Sequence, residues 1–86
     1  MRFRLYRHAQ EEVIRRSIPE ALLDSVLQHP QQIVPAHGGK KAYQSQLDFG
    51  GGRIFLLRVI VAEDVSPPLV VTVYRTSKIN KYWRTP

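Results

Sequence analysis

The side chains with acid–base or metal-binding chemistry are few in this sequence and widely spaced. Its histidines are His8, His29 and His37, and it contains no cysteine. Without cysteine there can be no disulfide framework, no thiolate zinc site and no cysteine nucleophile. The histidine spacing matches no pair of metal ligands, so we expect neither a metal centre nor a cofactor. Gly50–Gly52 is not followed by a helix pattern and therefore predicts a hairpin turn rather than a phosphate-binding loop.

Basic residues are concentrated at the two ends of the chain. Lys and Arg number 13 against 7 Asp and Glu, which gives a net charge of +6, and residues 17–39 contain no Lys or Arg. The basic residues near the ends are Arg2, Arg4 and Arg7, and then Arg75, Lys78, Lys81 and Arg84. Such an excess of positive charge attracts polyanions. If the fold brings the two ends together, they form one basic face for nucleic acid or an acidic protein; the alternative is an ordinary solvated surface.

Phe3 and Leu5 alternate with Arg2 and Arg4, which suits a short strand or an extended arm. Two helices are expected to follow it in a single domain over residues 1–86. Helical spacing places Ala9, Val13 and Ile14 on one side of the first helix, and acid-before-base pairs at i,i+4 support it. Ser17 is expected to close the first helix, and the segment Ser17–Glu20 fits a capping box that starts the second. That helix carries a Leu- and Val-rich stripe and ends before Pro30.

The remaining residues predict an antiparallel sheet. Apolar residues alternate with Gln44, Gln46 and Asp48 in one strand, which indicates one buried face and one solvent face. The expected fold class is α+β, with two N-terminal helices packed on a three- or four-stranded antiparallel sheet. Its expected strands are Gln32–Val34, Tyr43–Phe49, Arg53–Ala62 and Leu69–Tyr74.

No segment of the sequence predicts membrane insertion or secretion. The longest apolar run is interrupted by Arg58 and is much shorter than the ~20 residues of a membrane span. The N-terminal residues are charged and lack an apolar stretch behind them, so no secretory signal is expected. We therefore expect a cytoplasmic protein with no membrane partner.

Five short motifs are distributed over nearly the whole chain. They are His8-Ala9, Arg16-Ser17-Ile18, Val26-Leu27 before Pro30, Thr72-Val73-Tyr74 and Lys81-Tyr82. With these motifs and this order of elements, the chain resembles a small bacterial domain-of-unknown-function family that is grouped with the RelE/ParE-type toxins and is close to BrnT. Two positions depart from that pattern, because members often carry Arg in place of Glu12 and Gly in place of Ser17. The charge reversal at Glu12 lies in the helix of His8 and therefore bears on RNA cleavage rather than on the fold.

The resemblance implies a RelE/ParE-like fold and the toxin component of a type II toxin–antitoxin system. Its implied reaction is metal-independent cleavage of messenger RNA on the ribosome, in which the ribose 2′-hydroxyl attacks the adjacent phosphate. That reaction needs a base, an acid and cations near the phosphorus. An acidic, partly disordered antitoxin would cover the same basic face.

The residues that the resemblance assigns to this reaction come from both ends of the chain. Imidazole titrates near neutral pH, so His8 is the candidate acid or base. The other catalytic candidates are Arg16 as a phosphate clamp, Lys81 as a cation at the phosphorane and Tyr74 as a proton relay. The candidates for nucleic-acid binding are Arg4, Arg7, Arg75, Lys78, Arg84 and Tyr82.

Structural roles and other functions remain open for these residues. His8 can hydrogen-bond the chain at a helix start, and Arg16 can pair with Glu12. Tyr82 can pack on the sheet, stack on RNA or dock a partner. Two further functions use the same fold: a non-catalytic RelE-like binding module for nucleic acid or protein, and a ParE-like inhibitor of gyrase. The sequence does not determine an oligomeric state.

Overall fold

The computed structural model describes residues 2–85, which form five strands and three α-helices. In chain order they are β1 (Arg4–Leu5), α1 (Arg7–Arg15), α2 (Glu20–Gln28), β2 (Gln32–Pro35), β3 (Lys41–Asp48), β4 (Ile54–Ala62), β5 (Leu69–Thr76) and α3 (Ile79–Tyr82). A 3-10 turn at His37–Gly39 joins β2 to β3. Met1 and Pro86, the end residues of the expected 1–86 domain, lie outside the described residues. Within residues 2–85, no helix has the length and apolar character needed to cross a membrane.

The five strands form one mixed sheet in the order β1-β5-β4-β3-β2. Most neighbouring strands are antiparallel, but β1 runs parallel to β5, with Arg4 opposite Leu69 and Leu5 opposite Val70. The expected fold, two N-terminal helices packed on a three- or four-stranded antiparallel sheet, is therefore wrong. The short strand or arm expected before the helices is confirmed as β1, but β1 joins the sheet, which has five strands with one parallel pair, and a third helix follows it. Because β1 is two residues long and pairs with a strand from the far end of the chain, no local pattern indicates this pairing.

The sheet has two faces that are covered by different parts of the chain. Cross-strand neighbours share a face, and successive residues alternate between faces. The helical face carries the row Tyr43, Val59 and Val73, and the tail face carries the row Gln44, Arg58 and Tyr74. Ala9 of α1 and Val26 of α2 are fully buried in one core cluster with Val59 and Val73, so both helices pack on the helical face. The C-terminal residues 79–84, called here the tail, contact the tail face instead.

The junction between α1 and α2 differs from the predicted capping box. Pro19 is the N-cap of α2, and no side chain caps that helix. Ser17 adopts a left-handed φ of 51°. Its amide donates to the Ile14 carbonyl at 3.1 Å, and the Ile18 amide donates to the Val13 carbonyl at 3.0 Å. These two bonds form a Schellman motif, so the expectation that Ser17 closes the first helix is confirmed, whereas the expected capping box at the start of α2 is not formed.

The glycine-rich hairpin is confirmed. Gly50, Gly51 and Gly52 all have positive φ angles, and the amide of Phe49 donates to the carbonyl of Arg53 at 2.9 Å across the turn. Residues with a Cβ adopt such angles only at an energetic cost, so the glycines permit the tight reversal between β3 and β4.

Candidate active site

Arg58 is a buried cation in the middle of β4. The residue is only 8% exposed, and within residues 2–85 no carboxylate lies within ion-pair distance of it. Its Nε donates to Oε1 of Gln44 at 2.9 Å, and its Nη1 donates to the hydroxyl of Tyr74 at 2.6 Å. The guanidinium carbon also lies 4.2 Å from the centroid of the Tyr82 ring. The buried charge is therefore compensated by neutral acceptors and by the negative face of an aromatic ring.

Two glutamines hold the tail across the tail face. The side-chain amide of Gln44, which is fully buried, donates to the Tyr82 carbonyl at 3.2 Å and to Oε1 of Gln32 at 2.8 Å. Gln32 in turn accepts from the Arg84 amide at 3.1 Å and donates to the Arg84 carbonyl at 2.5 Å. The expectation that the Gln44 side of β3 faces solvent is thus wrong at its centre, because the tail covers that row and takes over its hydrogen bonds.

Tyr74, Lys81 and Tyr82 complete this group, and we call these three residues and Arg58 the tyrosine–arginine cluster. The rings of Tyr74 and Tyr82 are 6.3 Å apart in an edge-to-face arrangement. A hydrogen bond with Lys81 lowers the pKa of the Tyr82 phenol, whereas burial raises the pKa of the Tyr74 phenol. Two neighbouring phenols with pKa values shifted in opposite directions are suited to act as a base and an acid.

A second group of ionisable residues surrounds Glu12 on α1. Glu12 is only 5% exposed and accepts hydrogen bonds from Nη2 of Arg15 at 2.6 and 2.8 Å and from Nε of Arg16. Nε2 of His8 lies 3.8 Å from Oε1 of the same carboxylate. The hydrogen bonds from Arg15 and Arg16 lower the pKa of Glu12 to about 2. The predicted Glu12–Arg16 pair is confirmed, and the carboxylate offsets part of the positive charge of α1.

The four candidate catalytic residues are divided between these two groups. Tyr74 and Lys81 belong to the tyrosine–arginine cluster on the tail face. His8 and Arg16 lie on α1, which packs on the helical face. The sheet separates the two pairs, so the structure does not bring the four residues into one constellation.

The two ends of the chain do not meet. Arg4 lies on β1 at one edge of the sheet, and Arg84 is held by Gln32 of β2 at the opposite edge. Four strand spacings of ~4.8 Å separate these edges, which gives about 19 Å. The expected single basic face, built from both ends of the chain, is therefore not formed.

The other binding candidates occupy three surfaces. Arg7 is exposed on α1, and its Nε lies 3.5 Å from the Glu11 carboxylate. Arg75 projects from the helical face, opposite to its neighbour Tyr74. Lys78 lines a groove of about 580 Å³ beside the tyrosine–arginine cluster, and the lining residues are Gln46, Ser77, Lys78, Ile79, Asn80 and Lys81. Tyr82 lies over Arg58, as described above.

Sequence reasoning missed Arg58 and Gln44 as parts of the site. In the sequence, Arg58 stands out only as an interruption of an apolar run, and the strand pattern predicts that Gln44 faces solvent. A usable signal was nevertheless present, because a charged residue within a long β-branched strand must find polar or aromatic partners when that strand is central.

Comparison with known proteins identifies a family of undetermined function. The family model described as domain of unknown function (DUF4258) matches residues 5–75. No curated protein and no solved structure gives a significant match. The matched segment includes Arg58 and Tyr74 but ends before the groove residue Lys78 and the tail. Within residues 2–85, no group of three or more acidic or histidine side chains is arranged to hold a metal ion.

Proposed function

We propose that this chain, which belongs to the DUF4258 family, is a metal-independent RNA endoribonuclease and the toxin of a type II toxin–antitoxin pair. The observation that supports the proposal is the tyrosine–arginine cluster, in which a buried guanidinium, an ammonium group and two phenols converge. A positive site with aromatic side chains suits single-stranded RNA, because cations bind phosphates and rings stack on bases.

The proposed chemistry uses the two phenols in different protonation states. A deprotonated Tyr82, which the hydrogen bond with Lys81 favours by lowering the pKa of the phenol, takes the proton from the ribose 2′-hydroxyl, and the 2′-oxygen forms a bond to phosphorus. The bond from phosphorus to the 5′-oxygen then breaks, and Tyr74 donates its proton to that leaving oxygen. The products are a 2′,3′-cyclic phosphate and a 5′-hydroxyl. Transfer of the proton from Tyr82 to its neighbour Tyr74 restores the starting state.

Three basic residues have supporting roles in this proposal. Lys78 and Lys81 line the groove beside the cluster and neutralise the charge that develops on the phosphorane. Arg58 is a positioning residue, because its hydrogen bond fixes the Tyr74 hydroxyl and its guanidinium supports the Tyr82 ring. This assignment leaves His8 and Arg16 outside the reaction, on the other face of the sheet.

A non-catalytic RNA-binding module is a second candidate, and the ion pairs of Glu12 favour it. This carboxylate binds Arg15 and Arg16 and lies beside His8. Two of the four candidate catalytic residues, His8 and Arg16, therefore lie against a neighbouring acid. In this case the tail face would bind RNA without breaking it.

The proposed cellular partner is an acidic, partly disordered antitoxin in the cytoplasm. Lys78 and the tail residues Lys81 and Arg84 lie near one another in sequence with no acidic residue among them, so an acidic segment complements this basic group. A short acidic protein encoded by the neighbouring reading frame is the expected finding.

The experiment that tests the enzyme proposal combines induced expression in bacteria with RNA analysis. Expression of the chain alone is expected to stop growth and to leave messages with cyclic-phosphate ends. Tyr82→Phe removes the proposed base and is expected to restore growth and abolish cleavage by the purified protein. The matched control is Tyr6→Phe, which removes the hydroxyl of an exposed tyrosine outside the site and is expected to keep full activity.

Other outcomes identify the alternatives. RNA binding without cleavage by a well-folded chain would replace the enzyme with the binding module. Intact messages together with damaged DNA would indicate a gyrase inhibitor. Cleavage that survives Tyr82→Phe but disappears in His8→Ala would contradict the tyrosine–arginine cluster and return the reaction to α1.

A further inference from the structure

A second aromatic and basic group lies on the helical face beside the β3–β4 hairpin. The rings of Phe49 and Phe55 meet edge to face with centroids 5.6 Å apart, and both side chains are partly exposed. The guanidinium carbon of Arg75 lies 4.8 Å from the first ring and 4.9 Å from the second. That of Arg53 lies 5.6 Å from the Phe55 ring. We call these four residues the phenylalanine–arginine platform.

The two guanidinium groups of the platform have no anionic partner within residues 2–85. Among the described residues 2–85, no ion pair joins Arg53 or Arg75 to a carboxylate, and neither side chain makes a hydrogen bond. The nearest acid along β3 is Asp48, and its carboxylate instead accepts a hydrogen bond from the amide of Gly50 at 2.7 Å. The fork of N–H donors on each arginine is therefore available for an anionic ligand, while its flat face rests on a ring.

The platform and the tyrosine–arginine cluster lie at neighbouring positions on opposite faces. Tyr74 and Arg75 are consecutive residues of β5, so their side chains project from opposite faces near the end of that strand. The groove lined by Gln46 and Lys78 opens at the same end of the sheet. A single-stranded RNA bound at the cluster can thus pass over this end of the sheet and reach the platform within a few nucleotides.

We propose that the phenylalanine–arginine platform binds a nucleotide of the same single-stranded RNA that flanks the bond at the cluster, with its base on a phenylalanine ring and its phosphates on the arginines. This inference rests on the proposed RNA binding. Aromatic faces accept any base, and arginine adds both stacking and phosphate contacts. The platform is therefore expected to extend the binding site rather than to select a sequence.

Binding of non-cleavable RNA tests the platform without requiring catalysis. The probes are fluorescent, fully 2′-O-methylated oligonucleotides, one of roughly 12 nucleotides and one dinucleotide, measured by anisotropy. Phe55→Leu keeps an apolar side chain but removes the π face, and is expected to weaken binding of the long probe about tenfold. The dinucleotide, which is too short to reach both sites, is expected to bind the variant and the unchanged chain equally.

The salt dependence of binding measures the arginine contribution separately. The double variant Arg53→Gln/Arg75→Gln loses two phosphate contacts, each of which contributes ~0.7 to the slope of log affinity against log salt on single-stranded RNA. The magnitude of that slope for the long probe is therefore expected to fall by about 1.4. The matched control is Arg2→Gln/Lys40→Gln, which removes the same net charge away from the platform and is expected to keep the slope. Should Phe55→Leu fail to fold, Arg75→Lys keeps the charge but loses the planar fork and is expected to weaken the long probe selectively.

Each result separates this inference from the proposed function. Long-probe binding that all platform variants leave unchanged overturns the platform and leaves the cluster standing. A chain that binds neither probe overturns both proposals. Selective loss of long-probe binding in a chain that never cleaves RNA supports the platform and refutes the nuclease.

Discussion

Replacement of Gln44 by leucine tests the buried network that holds the tail on the sheet. The change preserves approximate volume but removes the acceptor of Arg58 Nε and the donor to the Tyr82 carbonyl. A hydrogen bond to a charged group contributes about 1.5–3 kcal/mol and a neutral one about 0.5–1.5 kcal/mol. The partly exposed Gln32 amide can bond to water instead, so the bond to it adds little. Gln44→Leu is therefore expected to lower the free energy of unfolding by about 3 kcal/mol.

That loss is large for a chain of this length. Native stability of about 0.05–0.15 kcal/mol per residue gives roughly 4–13 kcal/mol for a chain of 86 residues. Each kcal/mol shifts the melting temperature of a small domain by about 4–8 °C, so Gln44→Leu is expected to lower Tm by roughly 12–24 °C.

Urea unfolding followed by circular dichroism and by tryptophan fluorescence measures this loss. The chain has one tryptophan, Trp83, and it follows the docked Tyr82, so its fluorescence reports on the tail. The control is Gln46→Leu, because Gln46 lies on the same strand and face but makes no side-chain hydrogen bond within residues 2–85. It is expected to change stability by less than about 0.5 kcal/mol. A Gln44→Leu effect as small as that of the control would refute the reasoning that the network holds the tail.

Three further predictions concern other parts of the chain. The pKa of Glu12 is lowered to about 2, so its carboxylate stabilises the folded state above its unfolded pKa of about 4.5 and loses that effect as the pH falls towards 2. Thermal unfolding of Glu12→Gln is therefore expected to show a deficit at neutral pH that disappears in acid, and a deficit independent of pH would contradict the pairing. Since Lys81 lowers the pKa of Tyr82, Lys81→Met is expected to move the titration of the Tyr82 phenol to higher pH. Ultraviolet absorbance follows this titration, and an unchanged curve would exclude the contact between Lys81 and Tyr82. Ser17→Gly relieves the left-handed φ of 51° and is expected to raise the free energy of unfolding by about 0.5 kcal/mol. The left-handed conformation costs ~1–2 kcal/mol for a residue with a Cβ, and the greater freedom of glycine in the unfolded chain offsets part of that gain. Urea unfolding that shows destabilisation would indicate that Ser17 adopts another conformation.

Local features of the fold could be predicted from the sequence, whereas contacts between distant segments could not. The hairpin at Gly50–Gly52 and the two helices follow from glycine conformations and helical spacing, which depend on neighbouring residues only. Helical spacing predicts that Ile14 is buried, but Ile14 is 80% exposed. Glu12, not Ile14, lies on the buried side of α1. The parallel pairing of β1 depends on a strand at the other end of the sequence, which local patterns do not encode.

The candidate site was predictable in its residue types but not in its assembly. The side-chain types of Tyr74, Lys81 and Tyr82 predict proton transfer or RNA binding, and these residues lie together. His8 could join them only if the chain's two ends met, and the sheet separates it from them. Arg58 was missed because its importance comes from burial beneath the tail, which only the three-dimensional arrangement shows.

The hydrogen bonds by which Gln32 and Gln44 hold the tail affect how the sequence of this protein can change during evolution. Gln32 and Gln44 bind peptide groups at Tyr82 and Arg84, and every amino acid other than proline offers the same peptide groups. Substitutions at position 84 can therefore accumulate without changing the path of the backbone, whereas a change at either glutamine would release it. In related sequences we expect the anchoring positions on the strands to vary less than the position that they anchor.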